Sequence, residues 1–433
     1  MSHQEFLQRL HEFYGNDLHP FREKAWKLLN EMGLPEKKSE AFRYLPMNSF
    51  YQNQFQTSQN TQISKQTLQP LLDPSSEGST LIFVNGTFRK DLSFTNALPE
   101  KVILLPTAEA MKSYGAFLDK RHAEQIKLEK NPFALVNHSL YTEGLFLYVP
   151  PKVKLENPIH ILFIVTNDSS PILNHPRVEI FVGRDAEIHL ISNHHSLHAS
   201  TVWTNQFFDI TLEEGSIFSH FEYLDLPPSC YAFHTTRATV KRDSRYHSFS
   251  FSTGSEISRQ DTRVTLKGEN SEADIKGISL LEAKRQSHIY ALIEHEAPHT
   301  RSYQHFKHIL KDHARSSFEG KIFVEREAQK TDAYQMNHNL LLSENTVATS
   351  KPNLEIFADD VKASHGTTMS QLQREELFYL QSRGLGKEEA KQLLIVGYCL
   401  ELTKDLQYPA FKKKIKLKID DYIIAENEDA PSF

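Results

Sequence analysis

Histidine is the residue type with most chemical scope in this chain, which carries 22 of them. Three placements could do chemistry. His295-Glu296-Ala297-Pro298-His299 matches the H-E-x-x-H pattern of zinc hydrolases. That pattern works only when both imidazoles lie one helical turn apart on one face. Pro298 breaks such a helix, and the preceding Ile289-Tyr290-Ala291-Leu292-Ile293 reads as a strand. The expectation is polar decoration of a strand and its turn. His194-His195 is expected to be surface or hydrogen-bonded histidine. His365 follows the alternating run Leu354-Glu355-Ile356-Phe357-Ala358 and the turn residues Asp359-Asp360, and Gly366 comes directly after it. This predicts an imidazole at a strand end, facing a cleft or a partner. Neutral imidazole suits iron, zinc and copper. One histidine cannot hold a metal, so the other ligands would come from a partner or another segment. A purely structural role for His365 stays open.

Other chemistries lack their residues. No G-x-x-x-x-G-K-[ST] phosphate loop is present, and Gly384-Leu385-Gly386-Lys387 reads as a turn between helices. No G-x-S-x-G elbow offers an acyl-transfer nucleophile. Cys230 and Cys399 are the only cysteines. They could form a two-cysteine metal site, or Cys399 could simply be buried on a helix face. So few cysteines point to a reducing compartment. Met1 to Leu7 has no basic, apolar signal-peptide character, and no apolar run reaches membrane-span length. A cytoplasmic location is expected. The net charge of -6 gives no electrostatic reason for nucleic-acid binding.

The elements that must position these residues fall into three stretches. Residues 1–130 read as a helical region with a short β-hairpin. Phe6, Leu7, Leu10, Phe13 and Tyr14 have helical spacing, as do Ala25, Leu28, Leu29 and Met32. Lys38 to Tyr44 is a further helix start, and residues 56–79 resemble a polar linker. Leu81-Ile82-Phe83-Val84-Asn85-Gly86-Thr87-Phe88 is a hairpin signal. Residues 107–130 are helical again, ending near Asn131-Pro132.

Residues 131–366 change pattern. Short alternating strands recur, each followed by a Gly or Asp turn, and no amphipathic helix separates them. The wide intervals, about 25 to 45 residues, fit the stacked coils of a parallel β-helix better than a sandwich. The last coil of such a solenoid leaves an open edge, expected near Leu354 to Val361. Residues 367–433 return to helical spacing, first over Glu375 to Leu380, then from Lys387 to Leu402 with Leu393, Leu394, Val396 and Leu400 as an apolar face. The basic run Lys412 to Lys416 and the acidic end Glu426 to Asp429 read as solvated surface.

Several segments resemble a known family. They are Thr331-Asp332-Ala333-Tyr334-Gln335-Met336-Asn337-His338-Asn339-Leu340-Leu341-Leu342-Ser343, Lys351-Pro352-Asn353-Leu354-Glu355-Ile356-Phe357-Ala358-Asp359-Asp360-Val361-Lys362, His365-Gly366, and Leu377-Phe378-Tyr379-Leu380-Gln381-Ser382-Arg383-Gly384. Weaker likeness extends through Gln304 to Leu310 and Asn157-Pro158-Ile159. Together these are similar to the SufB/SufD family, the β-helical subunits of the SUF iron–sulfur cluster assembly system. Ala363 stands where SufB-type chains often carry a cysteine, and Glu40-Ala41-Phe42-Arg43-Tyr44 is similar to an N-terminal element of SufD-type chains. The resemblance is therefore strongest to the SufD branch.

The resemblance implies a right-handed parallel β-helix, mainly β, flanked by N- and C-terminal helices. It implies a non-enzymatic scaffold that pairs with a SufB-type paralogue. Glu355, Asp359, Asp360 and Lys362 would lie at that partner edge, with His365 as the cluster-assembly and metal residue. A SufC-type ABC ATPase would dock through Phe378, Tyr379, Arg383 and Leu393. No cofactor would be held stably by this chain alone. A nascent iron–sulfur cluster would form only at the SufB interface. Two other readings are a stand-alone β-helical carbohydrate enzyme, for which Asp359 and Asp360 are the obvious carboxylates, and a structural homodimer using the same edge.

Overall fold

The computed structural model describes residues 3–14, 20–36, 39–57, 63–73, 76, 78–166, 171–197, 201–404 and 406–428. Consecutive strands between Arg177 and Ser370 fall alternately into two sheets, and the sheet neighbours among these strands are all parallel. The result is a β-solenoid of about seven turns. Thr236 lies beside Phe208 and Thr262, then Ala291 beside Thr262 and Gly320. One coil therefore takes roughly thirty residues, within the range of solenoid repeats.

A repeated corner sets this period. Asp185, Gly215, Asp243, Asn270, His299 and Lys330 all have positive φ, between 56° and 71°. The amide of each donates to a carbonyl in the next coil, as from Asp243 to Glu269 and from His299 to Gln329. His299 is thus the left-handed turn residue of its coil. His295 ends the strand Gln286–His295, its ring nitrogens 2.7 Å from Thr300 Oγ1 and 2.9 Å from Ser302 Oγ. No helix joins the two histidines, so the H-E-x-x-H spacing forms no zinc site. At the same corner a Cβ on Gly268 would sit 1.9 Å from the Arg242 amide nitrogen, against backbone that cannot swing away. Gly268→Ala is expected to cost about 2–3 kcal/mol. Urea denaturation measures this, and wild-type stability would mean that adjacent turns can part.

The lumen is apolar on one side. Ile180, Ile210, Ala238, Val264 and Ile293 stack with Ile188, Phe218, Tyr246 and Ile275. Further along the same inward faces the residues become polar and pair with one another. Ser250 Oγ donates to Gln260 Oε1 at 3.0 Å, Ser279 and Ser287 lie 3.1 Å apart, and His308 Nδ1 is 3.1 Å from Asn339 Oδ1.

Helices cover both outer faces. The helices His3–Tyr14 and Pro20–Met32 are those expected, and Phe6, Leu7, Leu10, Ala25 and Leu29 are buried. Phe50 joins this layer to the solenoid, with ring centroids 4.9 Å from Trp203 and 5.2 Å from both Tyr231 and Phe233. The hairpin forms at Asn85-Gly86, where φ is 49° and 80°. Its first strand, Thr80–Val84, also pairs in parallel with Ile159–Val165.

Three expectations are corrected. Residues 56–79 are not a bare linker: Lys65–Leu68 is helical, capped by Ser64, and Leu68 is fully buried. Residues 58–62, 74, 75 and 77 lie outside the described residues. Asn131-Pro132 begins a helix, Pro132–Leu140, instead of only ending one. Asn131 Oδ1 accepts from the Phe133 amide at 3.0 Å, and proline suits the first helical turn. Every residue of that helix is buried, which erases any amphipathic pattern. Finally, the basic run belongs to a long helix, Pro409–Glu428. Phe411, Ile415, Ile419, Tyr422 and Ile423 bury against Phe221, Tyr223 and Phe249, while Asp429 lies outside the described residues. The preceding helix, Lys387–Thr403, buries Ala390, Ile395, Cys399 and Leu402 and leaves Leu393 and Leu400 outside. Lys307 and Lys311 hold this layer, donating at 2.7 Å and 2.8 Å to the carbonyls of Tyr398 and Tyr422.

Candidate functional site at the open end of the solenoid

Both sheets stop at the C-terminal end of the solenoid. Val347–Ile356 is the last strand of one and Val361–Ser370 the last of the other. Each pairs on one side only, so a row of backbone donors and acceptors faces outward from both. The edge falls where the sequence placed it and extends to Ser370.

His365 lies in the middle of Val361–Ser370, paired with Gln335, not at a strand end. Ala363, Ser364 and the small residues after Gly366 continue the strand. Gly366 is instead the position that admits Met336: a Cβ there would lie 2.8 Å from the Met336 sulfur. Paired residues of parallel strands point the same way. His365 therefore shares the inward face of Gln335, which is buried and donates to Gln304 Oε1 at 3.0 Å. Gln335 Oε1 beneath it has no partner. The imidazole is exposed because no further coil covers it. It is a lumen residue at an unclosed end.

The other edge residues surround it. Lys362 is on the same strand with its side chain exposed, and Asp359 and Asp360 form the turn between the two last strands. Glu355 is held by Lys321 Nζ at 2.7 Å. Asp360 and Lys362 also line a groove of about 720 Å³ along the corner turns. Its acids Asp243, Glu269, Asp332 and Asp360 are matched by Arg242, Arg301, Lys330 and Lys362. Asp359 and Asp360 are neighbours in one turn, so they do not face each other across a groove as glycosidase carboxylates do.

Sequence reasoning missed the apolar side chains of this end. Tyr334, Val347, Phe357 and Met369 are 41–55% exposed. Met369 takes the register position of fully buried Asn339 and so lies on the inward face, whereas Val347 and Tyr334 continue the outward positions of Arg315 and Tyr303. Alternation alone cannot say which coil is last. His338 was missed as well. It lies 2.8 Å from Thr368 Oγ1 with its ring centroid 5.0 Å from that of His305, and burial and the Lys307 charge hold it below the ordinary histidine value.

The helical candidates form a separate group. Phe378 and Tyr379 on Arg374–Ser382 are 72% and 57% exposed, and Leu393 on the next helix is 52% exposed. The Arg383 guanidinium stands 5.3 Å over the Tyr379 ring. Two segments that carry the family resemblance also meet: Lys351 Nζ lies 2.6 Å from Glu40 Oε1. The cysteines do not meet. Both are buried, Cys230 and Cys399 in different clusters, which leaves no two-cysteine metal site. His194 departs from its expectation too, since it is buried and its Nε2 has no partner.

The solenoid thus ends in one uncapped, partly apolar coil with exposed helices beside it. The comparisons place it. Residues 163–398 match the model described as SUF system FeS cluster assembly, SufBD core domain, and residues 3–161 match the SufBD protein N-terminal region. The chain belongs to the SufB/SufD family. It is 27% identical to the iron–sulfur cluster assembly protein SufD of Escherichia coli, over 95% of this chain and 96% of that one. It is equally 27% identical to an iron–sulfur cluster assembly SufBD family protein of Synechocystis, over 91% and 89%. The SufB protein of Bacillus subtilis is 24% identical over 79% of this chain and 74% of its own. The chain is SufD-like, and no helix among the described residues is long and apolar enough to cross a membrane.

Proposed function

We propose that this chain is the non-ATPase scaffold subunit of a cytoplasmic SUF assembly complex. It pairs with a SufB-type paralogue through the open end and docks a SufC-type ATPase on the helices Arg374–Ser382 and Lys387–Thr403. The uncapped last coil carries this reading. Two free strand edges, four exposed large apolar side chains and a lumen imidazole at one end call for a covering partner. The helical surface around Phe378, Tyr379, Arg383 and Leu393 is the second contact. ATP chemistry comes from the partner, in keeping with the lack of a phosphate loop here. Iron and sulfur are cargo in this scheme. His365 supplies one imidazole and the paralogue supplies the remaining ligands, so the site is complete only in the heterodimer.

The test uses the whole complex. His365→Ala is expected to leave capture of SufB- and SufC-type proteins intact and to lower cluster assembly in cells several-fold. Normal assembly with that variant would remove His365 from the mechanism. Failure of the wild-type chain to capture either protein would remove the scaffold reading, and self-association alone would favour the homodimer.

A further inference from the structure

We infer that His194, Glu222 and His234 form a binding site for one divalent cation of the zinc class inside the solenoid, separate from the open end and independent of the function proposed above. The three residues come from the strands Glu187–Ser196, Ile217–Leu224 and Tyr231–Val240, towards the N-terminal end of the coil stack. All three lie on the inward faces. His194 and His234 are each 4% exposed, and the Glu222 side chain is 12% exposed.

Their donor atoms converge. Glu222 Oε1 is 3.1 Å from His234 Nδ1 and 3.8 Å from His194 Nε2, and the three ligand atoms lie within 4.8 Å of one another. A tetrahedral zinc site with bonds near 2.1 Å has ligand atoms about 3.4 Å apart. A simple hydrogen-bonded dyad explains Glu222 with His234 only. It leaves His194 Nε2 buried, aimed at the carboxylate, and too far for a hydrogen bond. A cation between the three satisfies that nitrogen.

Charge argues the same way. Around Glu222 the structure places His234, His194, His220 and the amide of Gln206, which donates to Oε1 at 3.1 Å. No arginine or lysine among the described residues bonds to this carboxylate. A buried anion without a fixed cation is costly. Phe163 stacks on the His194 ring at 4.7 Å and fixes its plane. A cavity of about 10 Å³, lined in part by Thr204 and Cys230, lies against His194. Two imidazoles and a carboxylate select a borderline first-row ion over calcium or magnesium.

The test is metal content and spectroscopy of the full chain expressed in medium supplemented with Zn²⁺ or Co²⁺, then treated with a mild chelator. The wild type is expected to retain one equivalent, and the cobalt form to show the intense visible bands of a four-coordinate N/O site. Glu222→Gln and His194→Asn are each expected to lose that equivalent. Retention of the full equivalent in both variants would overturn the proposal, as would a wild type that retains none. Should the variants fail to fold, anomalous diffraction from crystals of the zinc-loaded wild type decides. A peak between His194, Glu222 and His234 supports the site, and density elsewhere or nowhere rejects it.

Discussion

Replacing Phe357 and Met369 together by glutamate is expected to leave the chain folded and to abolish its capture by a SufB-type partner. Phe357 is 55% exposed and Met369 50%, so the isolated chain loses little by the change. In the pairing proposed here both side chains are covered. Large apolar anchors at the centre of an interface are worth about 2 kcal/mol each or more, so the double variant should weaken binding by roughly a thousandfold. Carboxylates are also poorly placed there, since Glu355, Asp359 and Asp360 already load this end with acid. Calorimetric titration against the purified paralogue measures the loss, and a thermal melt of the variant alone checks the fold. Unchanged affinity with unchanged stability would mean that the partner sits elsewhere. The same pair of residues distinguishes the homodimer: if the wild type self-associates through this end, sedimentation will show the variant as a monomer.

The solenoid was legible because its strands alternate and four of the six corners named above carry Asp, Gly or Asn, the residues that tolerate a left-handed backbone. The open edge followed from that reading, and the relevant segments carried the family resemblance. What stayed hidden has physical causes. Lys412 to Lys416 looked solvated because charge was read before spacing, yet Phe411, Ile415, Ile419 and Tyr422 make a buried stripe. Lysines can cover apolar surface while keeping their heads polar, and Lys414 Nζ stands 4.1 Å over the Tyr223 ring. Pro132–Leu140 is buried on every side, Asn137, His138 and Ser139 included, so no apolar stripe marks it. His365 was placed at a strand end because the strand turns polar there. The inward faces of the later coils carry Gln304, Gln335 and Asn339, so the alternation continues without apolar residues. The His194, Glu222 and His234 group spans 41 positions of sequence and two sheets. Only the coil geometry joins it.

Acid should unfold this chain well above the pH at which carboxylates titrate. Four histidines are buried by the coil stack or by the helices upon it: His160 and His308, pushed down to about 4, and His288 and His295, pushed down to about 3. Burial is the leading cause in each case, since the charged ring loses its water. The ordinary value is 6.5, so between pH 6.5 and the folded values the unfolded chain binds a proton that the folded one does not. Stability is complete above pH 6.5 and falls as the pH drops, by about 1.4 kcal/mol per pH unit for each group. At pH 5 one such histidine costs about 2 kcal/mol and the four about 8, comparable with the whole stability of an ordinary domain. Urea midpoints followed by the fluorescence of buried Trp203 should therefore decline steeply between pH 7 and pH 5. Cooperative unfolding without denaturant is expected near pH 5, with uptake of several protons. His295→Asn is predicted to remove one proton from that slope, since its two hydroxyl neighbours, Thr300 and Ser302, can still be satisfied by an amide. A urea midpoint that is the same at pH 5 as at pH 7 would show that these rings reach water in the folded chain, contrary to the closed lumen and the covering helices that hold them.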